Sequence, residues 1–261
     1  MPGAFEARAA RAELLAPVAP AAEAPLRFAA GLYRAQGALA QALLRAHAEQ
    51  PLSGDPARDT KRAWESVRMI LRHCAEQGPA LLGADAAQRL EEDPEAGRAR
   101  LAAHRSAAKD VQDDYLSRAI LRPWAEVAIR AGVALQAAGT ARGCPDCGGA
   151  PWVASRRSGS NEDGAQRYLH CAGCGGTWTA GRLRCPVCDE ADPPKLPVFQ
   201  SDKHPAVRIE ACESCKSYVK SLDLTQDARP IPEVDDLASV GMDLWAQEQG
   251  YERIEPGLAG V

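Results

Sequence analysis

The sequence predicts an α+β protein: an α-helical N-terminal domain, two tandem four-cysteine modules built from short strands, and a closing C-terminal helix. Three observations carry this. Apolar residues recur at helical spacing as far as Ala138. That periodicity stops at the linker signal Gly139-Thr-Ala-Arg-Gly143. Beyond it lie eight of the nine cysteines, as four C-x-x-C pairs. The expected divisions are 1–140 for the helical domain, 141–184 and 185–227 for the cysteine modules, and 228–261 for the last helix and tail.

Residues 1–24 are rich in Ala, Pro and Glu and read as loose. The N-terminal stretch Leu14–Ala22 is interrupted by Pro17 and Pro20, and no basic region leads into an apolar block, so no secretory leader is expected. From Pro25 to Gln50, Leu26, Ala29, Leu32, Tyr33, Leu39, Leu43 and Leu44 mark a helix that Pro51 and Gly54 end. Asp55-Pro56 reads as an N-cap with proline at the first helical position. The helix that follows carries Trp64, Val67, Ile70, Leu71 and Cys74 on one face and stops near Gly78-Pro79. A short helix is expected over Ala86–Leu90, and another opens at Asp93-Pro94 with Leu101 inside it. A long pattern over Val111–Ala138 contains Pro123, which must kink or split it. Helices of this length with short connections pack as a bundle. Cys74 reads as a small buried hydrophobe. His47, His73 and His104 have no ligand partner at i+4 and read as surface or capping residues.

After the linker, Pro151–Ser155, Arg167–His170, Thr177–Thr179 and Arg182–Arg184 read as strands, with a hairpin tip over Ser158–Gly164. Leu196–Phe199, Ala206–Ile209 and Ser217–Leu222 play the same parts in the second module. A single helix is expected over 233–249, with Val234, Leu237, Gly241, Leu244 and Trp245 on its apolar face and Gly250 as its cap. Residues 252–261 read as a tail.

The pairs Cys144/Cys147 and Cys171/Cys174 are separated by 23 residues, and so are Cys185/Cys188 and Cys212/Cys215. Adding 41 to each cysteine of the first set gives the second. The chain thus repeats C-x2-C-x23-C-x2-C. A C-x-x-C turn presents two thiolates on one side of a tight loop. Two such turns facing each other make a tetrahedral S4 site suited to Zn²⁺ or to a rubredoxin-type iron. Gly148, Gly149, Gly175 and Gly176 follow the first two turns, where positive φ is usually required. An interleaved grouping, first pair with third and second with fourth, is the alternative, but a duplicated module favours one metal each. Redox-active dithiols and unliganded thiols are further alternatives. The first lack the βαβ setting of thioredoxin-like motifs.

Charge weighs against nucleic acid. The chain carries −4 overall, and its segments 144–184, 185–222 and 223–261 carry +2, −1 and −7. A nucleic-acid domain shows a basic face. Arg156, Arg157, Arg167, Arg182 and Arg184 can form a local patch, read either as solvated surface or as a docking site for an acidic protein segment. No dinucleotide, P-loop or nucleophile-elbow motif is present. Sites with four thiolates are closed to substrate, so no catalytic residue is expected. His170, beside Cys171, reads either as a donor near the sulfurs or as a strand-surface residue; His204 reads as a loop residue.

Several strings resemble the formate dehydrogenase accessory protein FdhE family: Cys144-Pro-Asp-Cys-Gly-Gly-Ala-Pro-Trp-Val-Ala-Ser155, Arg167-Tyr-Leu-His-Cys-Ala-Gly-Cys174 with Trp178, Val207-Arg-Ile-Glu-Ala-Cys-Glu-Ser-Cys215, Asp235-Asp-Leu-Ala238 and Glu248-Gln-Gly-Tyr251. They span roughly residues 140–255. The resemblance implies rubredoxin-like modules holding iron, with zinc as the alternative, on Cys144, Cys147, Cys171, Cys174, Cys185, Cys188, Cys212 and Cys215. It implies a cytoplasmic, non-enzymatic maturation factor that binds the formate dehydrogenase catalytic subunit before export. An iron-dependent redox carrier or sensor is the second reading, and a nucleic-acid-binding zinc ribbon the third.

Overall fold

This computed structural model of the protein describes residues 2–106, 114–135, 142–158 and 164–258. The ends of the expected 111–138 helix, part of the linker at 139–141 and the hairpin tip at 159–163 lie outside the described residues. The chain divides into two compact units. One comprises the first ten residues and Phe28–Ala138; the other comprises Arg11–Arg27 and Gly139–Val261. Among the described residues no helix is long and apolar enough to cross a membrane.

The helical unit contains most of α2 (Glu23–Glu49), then α3 (Pro56–Asp59), α4 (Trp64–Gln77), α5 (Ala80–Glu91), α6 (Pro94–Ser106) and α7 (Tyr115–Arg130). The expected apolar faces are the buried ones: Leu32, Leu39 and Leu43 on α2, and Val67, Ile70, Leu71 and Cys74 on α4. Burial pushes the Cys74 thiol up to about 12, consistent with an inert core residue. Asp55 caps α3 by accepting from Ala57 N at 2.9 Å. Asp59, at the end of α3, accepts from Ser53 N, Gly54 N and, at 3.0 Å, from Trp124 Nε1, so one buried carboxylate ties the α2–α3 turn to α7. His47 accepts from Leu52 N at 3.2 Å, and His73 stacks on Phe28.

The helical half departs from expectation in three places. Residues 1–24 are not loose: α1 covers Pro2–Leu15, and Pro17 and Pro20 open short 3-10 turns. Phe5, Ala9 and Ala12 form its buried stripe, which an alanine-rich composition hid. The short helix begins at Ala80 rather than Ala86. Finally, of the kink or split expected at Pro123 there is no split, and α7 ends at Arg130, so that the described residues 131–135, expected in the helix, lie outside it. Proline removes the N–H that would bond the carbonyl four residues back, that of Ala119. The buried amide of Gln36 on α2 supplies the missing donor, with Nε2 2.8 Å from Ala119 O.

In the second unit, β1 (Pro151–Ser158), β2 (Ala165–Cys171), β3 (Thr177–Ala180), β4 (Val198–Gln200), β5 (Val207–Ala211), β6 (Ser217–Asp223) and β7 (Glu252–Arg253) form one sheet. Its order is β3-β2-β1-β6-β5-β4, with β7 also pairing β6. Pairing within each module is antiparallel, whereas β1 meets β6 in parallel. The two cysteine modules therefore share a continuous sheet. Both central strands are buried along most of their length. Residues Arg182–Arg184 are not a strand but a turn between the modules.

The closing helix is two helices, α8 (Pro232–Ala238) and α9 (Val240–Glu248), broken at Ser239. The break changes the phase. Met242, Asp243 and Ala246 become the buried face of α9, while Leu244 and Trp245, expected inside, are 50% and 37% exposed. The tail is not featureless either, because β7 adds to β6 and carries Arg253 inward. Arg11 is paired with Asp235 in the same unit, its Nε 2.9 Å from Oδ2. That pairing helps to explain why Arg11–Arg27 belong here rather than with the helices read beside them in sequence.

Candidate metal centres

Each C-x-x-C segment folds as a knuckle closed by backbone hydrogen bonds. Cys144 N donates to Gly149 O and Gly148 N to Cys144 O; the same pair recurs from Cys171 to Gly176 and from Cys185 to Glu190. In the fourth knuckle, Cys212 N donates to Ser217 O. The residue after each second cysteine turns left-handed: Gly148 at φ 74°, Gly175 at 70°, Asp189 at 69° and Lys216 at 57°. Positive φ thus holds at Gly148 and Gly175 but not at Gly149 and Gly176. Those two are constrained by space instead. A Cβ on Gly149 would lie 2.9 Å from Cys171 Sγ, and one on Gly176 2.8 Å from Asp146 Oδ2.

The knuckles face each other in the sequential grouping. Cys144, Cys147, Cys171 and Cys174 bring their sulfurs together, as do Cys185, Cys188, Cys212 and Cys215, and within each set all sulfurs lie within 4.8 Å. The interleaved grouping is not the one formed. Sulfurs of opposing knuckles are 3.5 Å apart for Cys144 and Cys174 and 3.4 Å for Cys147 and Cys171. In the second set they are 3.6 Å apart for Cys185 and Cys215 and 3.5 Å for Cys188 and Cys212. A regular tetrahedron with metal–sulfur bonds of about 2.3 Å has edges of about 3.8 Å, so both tetrads have the size an S4 ion requires. Gly149 N, Gly176 N and Val187 N each approach a sulfur at 3.4 Å, the orientation that favours thiolate over thiol. Without a cation the crowded first tetrad cannot ionise uniformly. Hydrogen bonds from Cys147, Cys171 and Cys174 pull Cys144 down, while those with Cys144 and Cys147 push Cys171 and Cys174 up.

The tetrads differ in exposure. All four cysteines of the first are buried, whereas in the second Cys188 is exposed and Cys215 half-buried. His170 bonds Ser155 Oγ at 2.8 Å across the β1–β2 pair. Arg157 extends over the Tyr168 ring, apart from the other expected arginines.

Sequence reasoning missed a buried charged cluster that supports this unit. Lys220 on β6 is fully buried, with Nζ 2.5 Å from Asp243 Oδ2, 3.1 Å from Asp236 Oδ1 and 3.1 Å from Ser239 Oγ. Arg253 bridges the same carboxylates, 2.9 Å from Asp243 and 2.7 Å from Asp236, and Tyr218 OH donates to Asp243 at 2.9 Å. Two cations and two anions thus neutralise each other inside the fold, joining β6, α8, α9 and β7. The available signal was Lys220 itself, a charge within the apolar run Tyr218–Leu222.

Residues 143–182 match the FdhE central domain, and residues 183–258 match the FdhE C-terminal domain. The chain is 37% identical over 117 residues to a protein named FdhE homolog from Aquifex aeolicus, and 36% identical over 119 residues to one from Pseudomonas aeruginosa. These matches take in 45% and 44% of the chain but 41% and 38% of those relatives, about two fifths of their length. The crystal structure of the FdhE protein from Pseudomonas aeruginosa superposes with a TM-score of 0.73 at 27% identity, covering 99% of this chain and 95% of that one.

Proposed function

Because the chain belongs to the FdhE family through its residues 143–258, we propose that it is a non-enzymatic maturation factor for formate dehydrogenase. On this reading it binds the catalytic subunit in the cytoplasm before export. The observation that carries the reading is the pair of closed sulfur tetrads on one shared sheet. Four thiolates saturate a tetrahedral ion and leave no position for a substrate, so the sites serve as rigid supports or one-electron centres rather than as hydrolytic ones. Cys144, Cys147, Cys171 and Cys174 would hold one ion and Cys185, Cys188, Cys212 and Cys215 the other. Iron is the metal proposed, with zinc the alternative; when bound, iron supplies reversible one-electron chemistry.

The test is co-purification with the dehydrogenase catalytic subunit. Replacing Cys144 and Cys147 together with alanine is expected to weaken capture and lower formate dehydrogenase activity. Unchanged capture and activity would reject the role of that module.

A second reading, an iron-dependent redox carrier, is favoured by the exposure of Cys188, which brings the second tetrad to the surface where an electron partner can approach. It requires visible absorption that bleaches on reduction. A colourless protein with two bound zinc ions would remove it.

A further inference from the structure

One face of the sheet collects positive charge beyond what its own fold uses. Arg156 on β1 is the direct cross-strand partner of Arg167 on β2. On the same face, Ser221 of β6 pairs with Ala154 of β1 and with Arg208 of β5. Like charges directly opposite each other destabilise a sheet, so stability alone does not favour the Arg156–Arg167 pair. The inter-module turn adds Arg182 and Arg184, and all five arginines border one cavity of about 330 Å³ beside Cys185 and Cys212. Glu210 is the one acid in its lining.

Three of the arginines are paired with carboxylates, and Arg167 also donates through Nη1 to the carbonyls of Gly181 and Arg184. Arg167 pairs with Glu210 at 2.7 Å, Arg208 with Asp223 at 2.8 Å and Arg184 with Asp189 at 2.7 Å. The Arg167 side chain is 4% exposed, yet its Nε meets no acceptor among the described residues, and neither does the buried Nε of Arg208. The buried hydroxyl of Ser221, between them in the sheet, is likewise without a partner there. The Arg156 side chain makes no hydrogen bond or ion pair among the described residues; Asp223, opposite it across the β1–β6 pair, is the carboxylate that Arg208 holds. The simpler account makes these arginines counter-charges for the neighbouring thiolates. Yet the bonds of Arg167, Arg184 and Arg208 go to carboxylates and backbone carbonyls, and none reaches a sulfur.

We propose that this cavity binds a phosphate-type oxyanion carried on a small, partly apolar molecule. Buried donors left unmade are costly, and two of them on arginines that line one cavity fit an acceptor with several oxygens. Arginine's planar fork matches phosphate geometry. A carboxylate side chain of an acidic peptide offers two oxygens, too few for arginines arriving from β1, β2, β5 and the inter-module turn. Leu183, Leu196, Val198 and Ile254 complete the walls and suit an organic body. The volume lies at the small end of ligand sites, where a compact molecule rather than a chain segment fits. The proposal stands on this face alone and is independent of the maturation reading.

The test is calorimetric titration of the full chain with inorganic phosphate and with phenyl phosphate. Both are expected to bind, phenyl phosphate the tighter, with affinity falling as salt rises. Arg156→Ala removes a side chain that makes no hydrogen bond or ion pair of its own among the described residues and is expected to weaken binding about tenfold or more, with metal content and circular dichroism unchanged. Arg208→Ala is expected to do the same, and Arg156→Ala keeps the test decisive if loss of the Asp223 pair perturbs the fold. Absence of binding of either probe at millimolar concentration would overturn the proposal. So would wild-type affinity in Arg156→Ala, or capture of an acidic peptide that phosphate does not displace.

Discussion

The side-chain amide of Gln36 lies 2.8 Å from the carbonyl of Ala119, the acceptor that Pro123 deprives of its helical partner. The contact accounts for an unbroken α7 across a proline. Replacing Gln36 with leucine should leave that buried carbonyl unsatisfied and cost about 1–3 kcal/mol. In a Pro123→Ala background the backbone N–H returns, so the same substitution should cost less. A double-mutant cycle by urea unfolding measures the difference. Additive effects would show that Gln36 does not serve the proline site.

Gly149 packs against the first tetrad so closely that a methyl group would meet Cys171 Sγ at 2.9 Å. Gly149→Ala should therefore displace a ligand knuckle and lower bound metal from two equivalents toward one. Gly148→Ala should act differently. It places a side chain at φ 74°, costing about 1–2 kcal/mol of stability while leaving the sulfurs in place. Metal analysis combined with thermal unfolding separates the two effects.

These contrasts show what the sequence made legible. The eight cysteines and their 41-residue offset identified both tetrads, because C-x-x-C geometry is local and the repeat pairs the halves. Amphipathic α2 and α4 were legible because leucine and isoleucine mark a face. The stripe of α1 was not, since alanine packs well but signals weakly. The order β3-β2-β1-β6-β5-β4 depends on a parallel contact between β1 and β6, strands more than sixty residues apart, and no local pattern encodes it. The break at Ser239 escaped notice for a related reason. It is stabilised by Lys220, which reaches Ser239 Oγ from a strand.

The buried cluster should resist partial dismantling. Lys220→Met removes one cation and leaves Asp236 and Asp243 with Arg253 alone, so unfolding free energy should fall by about 3–5 kcal/mol. Chemical denaturation of the metal-loaded protein measures it. A loss below about 1 kcal/mol, the value of a surface pair, would mean that the cluster is solvated in solution.

Acid should weaken the helical unit through Asp114. Burial pushes its carboxyl up, but hydrogen bonds from Arg89 and Ser117 outweigh this and hold it below the usual carboxylate range. Its folded value lies below its unfolded one, so its stabilisation is complete above the unfolded value of about 3.9 and fades as pH falls through the folded value. Asp114→Asn should lower stability at neutral pH and flatten the acid limb below about pH 4. Parallel pH profiles for the two proteins would show that Asp114 is not a source of acid lability.

The central claim is that eight cysteines form two independent S4 metal sites. Metal content of the purified chain, with its visible spectrum, tests this most directly. Two equivalents of thiolate-bound ion are expected. One equivalent should remain when Cys144, Cys147, Cys171 and Cys174 are all replaced by serine, and one when Cys185, Cys188, Cys212 and Cys215 are. Charge-transfer bands in the visible would identify iron, and their absence with the same stoichiometry would identify zinc. A metal-free chain with all eight thiols open to a thiol reagent would contradict the account, as would loss of both ions on removing either tetrad.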